Sequence, residues 1–138
     1  MVKSNGDNNI GLNELLHVSA REALQLLNAG AVLVDVRPEY ELGRLFDVES
    51  VLYLPYKEMP DQLSALPKDK ALIIADAVGL RSNEVCSMLL KNGFKSIYNL
   101  AGGIVDWERS GFPVTTDKSR ILTGSCMCQL KIRNKKTK

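Results

Sequence analysis

The sequence predicts an α/β fold: a central parallel sheet flanked by helices on both faces. Three observations predict it. Short apolar, β-branched runs at 31–36, 51–54 and 72–75 read as strands, and the run at 72–75 as one covered on both sides. Stretches of helical period at 20–28 and 81–92 alternate with them. That alternation implies parallel strands joined by right-handed crossovers. A chain of 138 residues is expected to hold one domain, with a body of about a hundred residues, enough for a single core.

Taken in order, Met1 to Gly11 is rich in Asn, Gly, Asp and Ser, and is expected to be disordered. The expected organisation is a disordered segment over 1–13, a domain over 14–116 and a tail over 117–138. Residues 15–18 read as a short edge strand. Ser19, with Glu22 three residues later, has the pattern of a capping box. It opens a helix over 20–28 carrying Ala23, Leu24, Leu26 and Leu27, which Gly30 closes. The strand over 31–36 ends in Asp35-Val36-Arg37, and Pro38 suits the first turn of a short helix over 39–42. Residues 43–50 are the least readable stretch. A third strand over 51–54 stops at Pro55, and 57–66 reads as a helix broken at Met59-Pro60. After the strand 72–75, the small, Gly-punctuated segment 76–80 cannot extend it. The helix over 81–92 places Val85, Met88 and Leu89 on one face with Cys86 and Leu90 beside it, and Gly93 stops it. A last strand over 96–99, a loop over 100–103 and a short helix over 104–109 complete the domain, with Gly111 and Pro113 as stops. From Thr115 onward no stable fold is expected beyond an added strand.

The net charge of +2 hides an asymmetry. Lys131, Arg133, Lys135, Lys136 and Lys138 place +5 in the last eight residues, which leaves −3 for residues 1–130. A mildly acidic body offers no basic face for nucleic acid. The N-terminus has no apolar segment of the signal-peptide kind, and no run reaches membrane-spanning length, so no membrane association is expected. Three cysteines do not make a disulfide framework. The expected location is cytoplasmic.

In a parallel sheet, ligands bind beyond the carboxyl ends of the strands. A loop entering a helix there aims backbone N–H groups at one point and makes an anion cradle. The candidate site is therefore the loop Asp76, Ala77, Val78, Gly79, Leu80 and Arg81, and its chemistry depends on Asp76 at the first position.

By these residues the chain resembles the rhodanese-homology domain family, over about 18–114. Asp35-Val36-Arg37-Pro38-Glu39-Tyr40-Glu41 looks like that family's first signature, Asp-Val-Arg followed by an acidic, aromatic, acidic stretch. Leu66-Pro67-Lys68-Asp69-Lys70 is similar to the family's approach to its central strand. So is the run from Gly93-Phe94 through Asn99-Leu100 into Gly102-Gly103-Ile104 and Trp107. The resemblance implies a single rhodanese-like α/β domain. It also implies an active loop of Cys, four residues and Arg heading a helix. Residues 76–81 have that length, with Gly79, Arg81 and Ser82 in the usual places, but Asp76 stands where the Cys is expected. The family's usual Gly-His-Ile-Pro-Gly-Ala is replaced by the stretch from Gly43 to Ser50. Sulfur transfer in this family needs a thiolate that carries sulfur as a persulfide. A carboxylate cannot, so the resemblance implies no catalytic residue and a binding or regulatory role, with an unknown protein partner or small anion.

Two other functions stay open. Cys126 and Cys128 are redox or sulfur-accepting candidates in the tail, which gives a sulfurtransferase or persulfide-carrier alternative. A related dual-specificity phosphatase is the weakest reading, because it needs the missing Cys and a loop one residue longer. No metal is expected, since a structural zinc needs four ligands and, besides the tail pair, the chain offers only Cys86 and His17, both expected in the body, so that a site would need a second chain. No other cofactor is expected. Cys86 reads as a small buried hydrophobe, His17 as structural and Trp107 as a core anchor. Asp35 and Arg37 are expected to pair with neighbouring charges, and Arg81 to pair with Asp76 or Glu84 or to hold an anion. Gly102-Gly103 is expected to let the backbone approach the loop closely.

Overall fold

The structure, a computed structural model, describes residues 15–116. The expectations for the N-terminal segment and for the tail with Cys126 and Cys128 lie outside the described residues. The elements within them begin with β1 (Leu16–Val18), α1 (Ala20–Asn28) and β2 (Val32–Asp35). A two-residue strand β3 (Leu45–Phe46), β4 (Val51–Tyr53) and α2 (Met59–Gln62) follow. Then come β5 (Leu72–Ala75), α3 (Leu80–Lys91), β6 (Ile97–Leu100), α4 (Gly103–Arg109) and β7 (Val114–Thr115). Single 3-10 turns stand at Glu39–Glu41, Tyr56–Glu58 and Leu63–Ala65.

The main sheet has five parallel strands in the order β1-β6-β5-β2-β4, so β5 is central and β1 lies at an edge. All four residues of β2 and of β5 are buried, which is why both appear in the sequence as unbroken apolar runs. Alternate side chains divide between two faces. Val32, Val34, Leu72 and Ile74 pack with Val85, Cys86 and Leu89 of α3 and with Met59 and Phe94. Leu33, Val51, Ile73 and Ala75 pack with Ala20 and Ala23 of α1 and with Ile104 and Trp107 of α4. The sheet is therefore covered by helices on both sides, as the sequence predicts.

The capping box forms as predicted: the Glu22 N–H donates to Ser19 Oγ at 3.1 Å, and the Ser19 N–H donates to Glu22 Oε1 at 2.9 Å. Two expectations change. The unreadable stretch 43–50 contains β3, which pairs antiparallel with β7 seventy residues later (Leu45 against Thr115, Phe46 against Val114). β6 is accordingly not the last strand. The expected helix at 57–66 resolves into two 3-10 turns around the four-residue α2, with Pro60 in its first turn. The small β3–β7 sheet closes over Trp107. The Trp107 indole N–H donates to the Pro113 carbonyl at 2.8 Å, and its ring meets Phe46 and Phe112 edge-on at 5.4 and 5.2 Å.

Candidate functional site

Asp76 is the first residue past the central strand, and its side chain turns inward to 1% exposure. The loop folds around that carboxylate. The Gly79 N–H donates to Oδ1, and the N–H groups of Arg81 and Ser82 donate to Oδ2 at 2.8 and 3.3 Å. These are amides of the first turn of α3, which have no partner within the helix. A carboxylate at a helix N-terminus is favourable for the same reason an external anion is. The expected convergence of N–H groups is present, and Asp76 lies at its focus.

The far side of the loop is held by α4. The Ile104 N–H donates to the Asp76 carbonyl at 2.9 Å, and the Val105 N–H to the Ala77 carbonyl at 3.1 Å. This close approach needs Gly103. It has φ +57, and a Cβ there would lie 2.4 Å from the Ala77 carbonyl carbon and oxygen and from the Asp76 oxygen. The Gly-Gly step read from the sequence thus serves backbone contact between α4 and the loop.

Arg81 makes its short ion pair with Glu41, Nη2 to Oε1 at 2.7 Å, while its Nε stands 3.9 Å from Asp76 Oδ2. Its guanidinium also lies over the Tyr56 ring at 5.0 Å. Of the two expected partners, Asp76 is met only at this longer distance, and Glu41 takes the place offered to Glu84. Arg37 and Asp35 pair with each other rather than with separate neighbours. Arg37 Nε and Nη2 reach the two Asp35 carboxylate oxygens at 3.0 and 2.8 Å. The remaining donors of Arg37 hold the Glu41 carbonyl at 3.0 Å and the Arg44 carbonyl at 2.7 Å. Burial pushes the Asp35 carboxyl up, and the Arg37 hydrogen bonds and charge oppose that shift.

Sequence reasoning places Ser82 and Asn99 in family-like stretches but does not reach the link between them. Ser82 Oγ lies 3.4 Å from Asp76 Oδ1 and donates to Asn99 Oδ1. Asn99 Nδ2 lies 3.1 Å from His17 Nδ1 and 3.4 Å from the Gly79 carbonyl. A buried polar row therefore runs from the loop to His17, which is exposed on the edge strand. The available signal was a lone amide near the end of the otherwise apolar strand β6. His17 keeps its structural reading. Asn99 and Ser82, at 3% and 0% exposure, serve to satisfy each other and the loop.

Cys86 is fully buried beneath the loop on α3, and its Sγ donates to the Tyr98 carbonyl at 3.6 Å. Burial first, and the Asp76 charge second, push its thiol up from the ordinary 9.0 to about 12. The folded chain keeps this proton where the unfolded chain loses it, so stability should fall as pH rises above 9.0 towards about 12. Alkylation at about pH 8 should leave Cys86 unmodified in the folded protein and label it after unfolding in urea, read by peptide mass spectrometry. Labelling of the native protein at the unfolded rate would contradict its burial. Cys86 is the sole cysteine among the described residues, and no group of three or more acidic, His or Cys side chains there could hold a metal ion. No helix among the described residues is long and apolar enough to cross a membrane.

A family model described as "Rhodanese-like domain" matches residues 19–110. The chain belongs to the rhodanese-like domain family. A sulfurtransferase of Allochromatium vinosum is 35% identical over 83 residues, covering 60% of this chain and 77% of that protein. The thiosulfate sulfurtransferase GlpE of Haemophilus influenzae is 24% identical over 104 residues, covering 72% of this chain and 93% of its own length. Among solved structures, a rhodanese-related protein from Thermoplasma volcanium matches with a TM-score of 0.67 at 25% identity, over 74% of this chain and 99% of the other. This rhodanese-like domain thus has sulfurtransferase relatives in sequence, and its parallel sheet covered by helices matches the solved rhodanese-related structure.

Proposed function

We propose that this rhodanese-like domain is a binding or regulatory module that transfers no sulfur through loop 76–81. The observation that carries the reading is the Asp76 carboxylate, which takes the three N–H groups that would otherwise face an incoming anion. A carboxylate has no sulfur to form a persulfide, and it opposes an anionic donor. Two unit charges at about 4 Å repel by roughly 4 kcal/mol at an effective dielectric near 20, about a thousandfold in affinity. The buried Cys86 thiol is no substitute nucleophile, since burial holds it protonated.

The purified chain is expected to show no transfer of sulfur from thiosulfate to cyanide above background. Asp76→Cys puts a thiol among the same amides, which favour a thiolate, and should raise the rate about tenfold or more. Wild-type turnover that survives replacement of Cys126 and Cys128 would overturn the reading. A second reading keeps those two tail thiols as sulfur acceptors, and the burial of Cys86 favours it by leaving them as the chain's other thiols. Wild-type turnover that is lost in Cys126→Ser and Cys128→Ser variants would establish that reading instead.

A further inference from the structure

We propose that the apolar, acid-bordered mouth of the loop is the docking surface for this chain's own residues 117–138. Among the described residues five large hydrophobic side chains are exposed, and four of them stand on the loop or next to residues bonded to it. Tyr40 is 85% exposed, Leu80 74%, Val78 51% and Val105 42%. The Glu41–Arg81 ion pair brings the residues next to Tyr40 and Leu80 into contact, and the Val105 N–H is bonded to the Ala77 carbonyl beside Val78. Single exposed hydrophobics are ordinary, but a cluster marks a surface that something covers.

Charge and position identify the occupant. Glu39 and Glu41 flank Tyr40 in the chain, and Glu84 follows Leu80 by one turn of α3. Arg81 is already paired with Glu41, and Arg109, one turn after Val105 on α4, is paired with Asp106. The described residues hold thirteen acidic and ten basic side chains, whereas residues 117–138 hold seven basic and one acidic. The same stretch carries Ile121, Leu122, Met127, Leu130 and Ile132, apolar groups to set against the patch. It also starts close by. Thr115 pairs with Leu45, and one guanidinium, that of Arg37, holds both the Arg44 and the Glu41 carbonyls. At roughly 3.3 Å per extended residue, Lys131 can reach about 50 Å from Thr116, far more than the crossing requires.

The inference rests on the mouth being a binding surface rather than a reaction centre. Its consequence is that an outside partner must displace a covalently tethered competitor, whose effective concentration is high. The test is zero-length coupling of amines to carboxylates on the full chain, in an equal mixture of isotopically light and heavy protein. Lys131, Lys135, Lys136 and Lys138 should couple to Glu39, Glu41 and Glu84 within one isotopic form. The yield should drop about fivefold or more in a Tyr40→Lys/Leu80→Lys variant, and likewise in about 1 M salt. Both substituted side chains are exposed, so the variant keeps its fold. Coupling spread evenly over other carboxylates such as Glu22, Asp61 and Asp69 would overturn the proposal. So would coupling between light and heavy copies, or a yield that the variant does not change. Sulfur transfer is not read in this experiment, so a failure here is separable from a failure of the non-catalytic reading.

Discussion

Replacing Arg37 with Leu should lower the free energy of unfolding by about 3–5 kcal/mol, measured by urea denaturation. Arg37 is 4% exposed and Asp35 is fully buried. The substitution removes two charge-assisted bonds to Asp35 and strands its carboxylate away from water. It also releases the Glu41 and Arg44 carbonyls, so the segment between β2 and β3 loses its common anchor. Most of the cost is the orphaned charge. An Asp35→Ala/Arg37→Leu double variant should therefore be more stable than Arg37→Leu alone. A double variant as unstable as the sum of the singles would show that the pair acts through its backbone contacts instead. Lysine should rescue little, because a single ammonium cannot fork to a carboxylate and reach two carbonyls as well.

Gly103→Val should be comparably damaging, by about 3–5 kcal/mol, through steric exclusion rather than charge. The clashing atoms belong to the backbone of Asp76 and Ala77, so no side chain can swing aside. Relief requires α4 to withdraw, which breaks the Ile104 and Val105 hydrogen bonds to the loop, each worth about 1 kcal/mol. Gly30→Ala provides the control: Gly30 also has positive φ, at +111, but a Cβ there meets nothing within 4 Å. That change should cost only about 1 kcal/mol of backbone strain. Equal thermal shifts for the two variants would contradict the packing of α4 on the loop.

The fold was readable where burial imposes a pattern. β2 and β5 lie between two helical layers and so appear as continuous apolar runs, and Ser19 with Glu22 announces α1 by a local exchange of hydrogen bonds. β3 and β7 carry no such pattern. Two residues define no period, and Leu45 and its partner Thr115 lie seventy residues apart in the chain. The site divides in the same way. Asp76 was legible because its loop is set by the local strand-to-helix geometry. Glu41 as the partner of Arg81 was not, since forty residues separate them and Glu84, one turn along the helix, looked equally suitable. Ser82 and Asn99 matter through a hydrogen bond between α3 and β6, and a lone amide in an apolar strand is the one local sign of it.

The β3–β7 pairing sets how short this domain can be. The family match stops at residue 110, yet the indole of Trp107 is capped by a carbonyl at Pro113, and Leu45 and Phe46 find their strand partners at Thr115 and Val114. A boundary drawn at the end of the match would uncap a tryptophan and bare a strand edge. The packed structure therefore extends past the match, through Thr115.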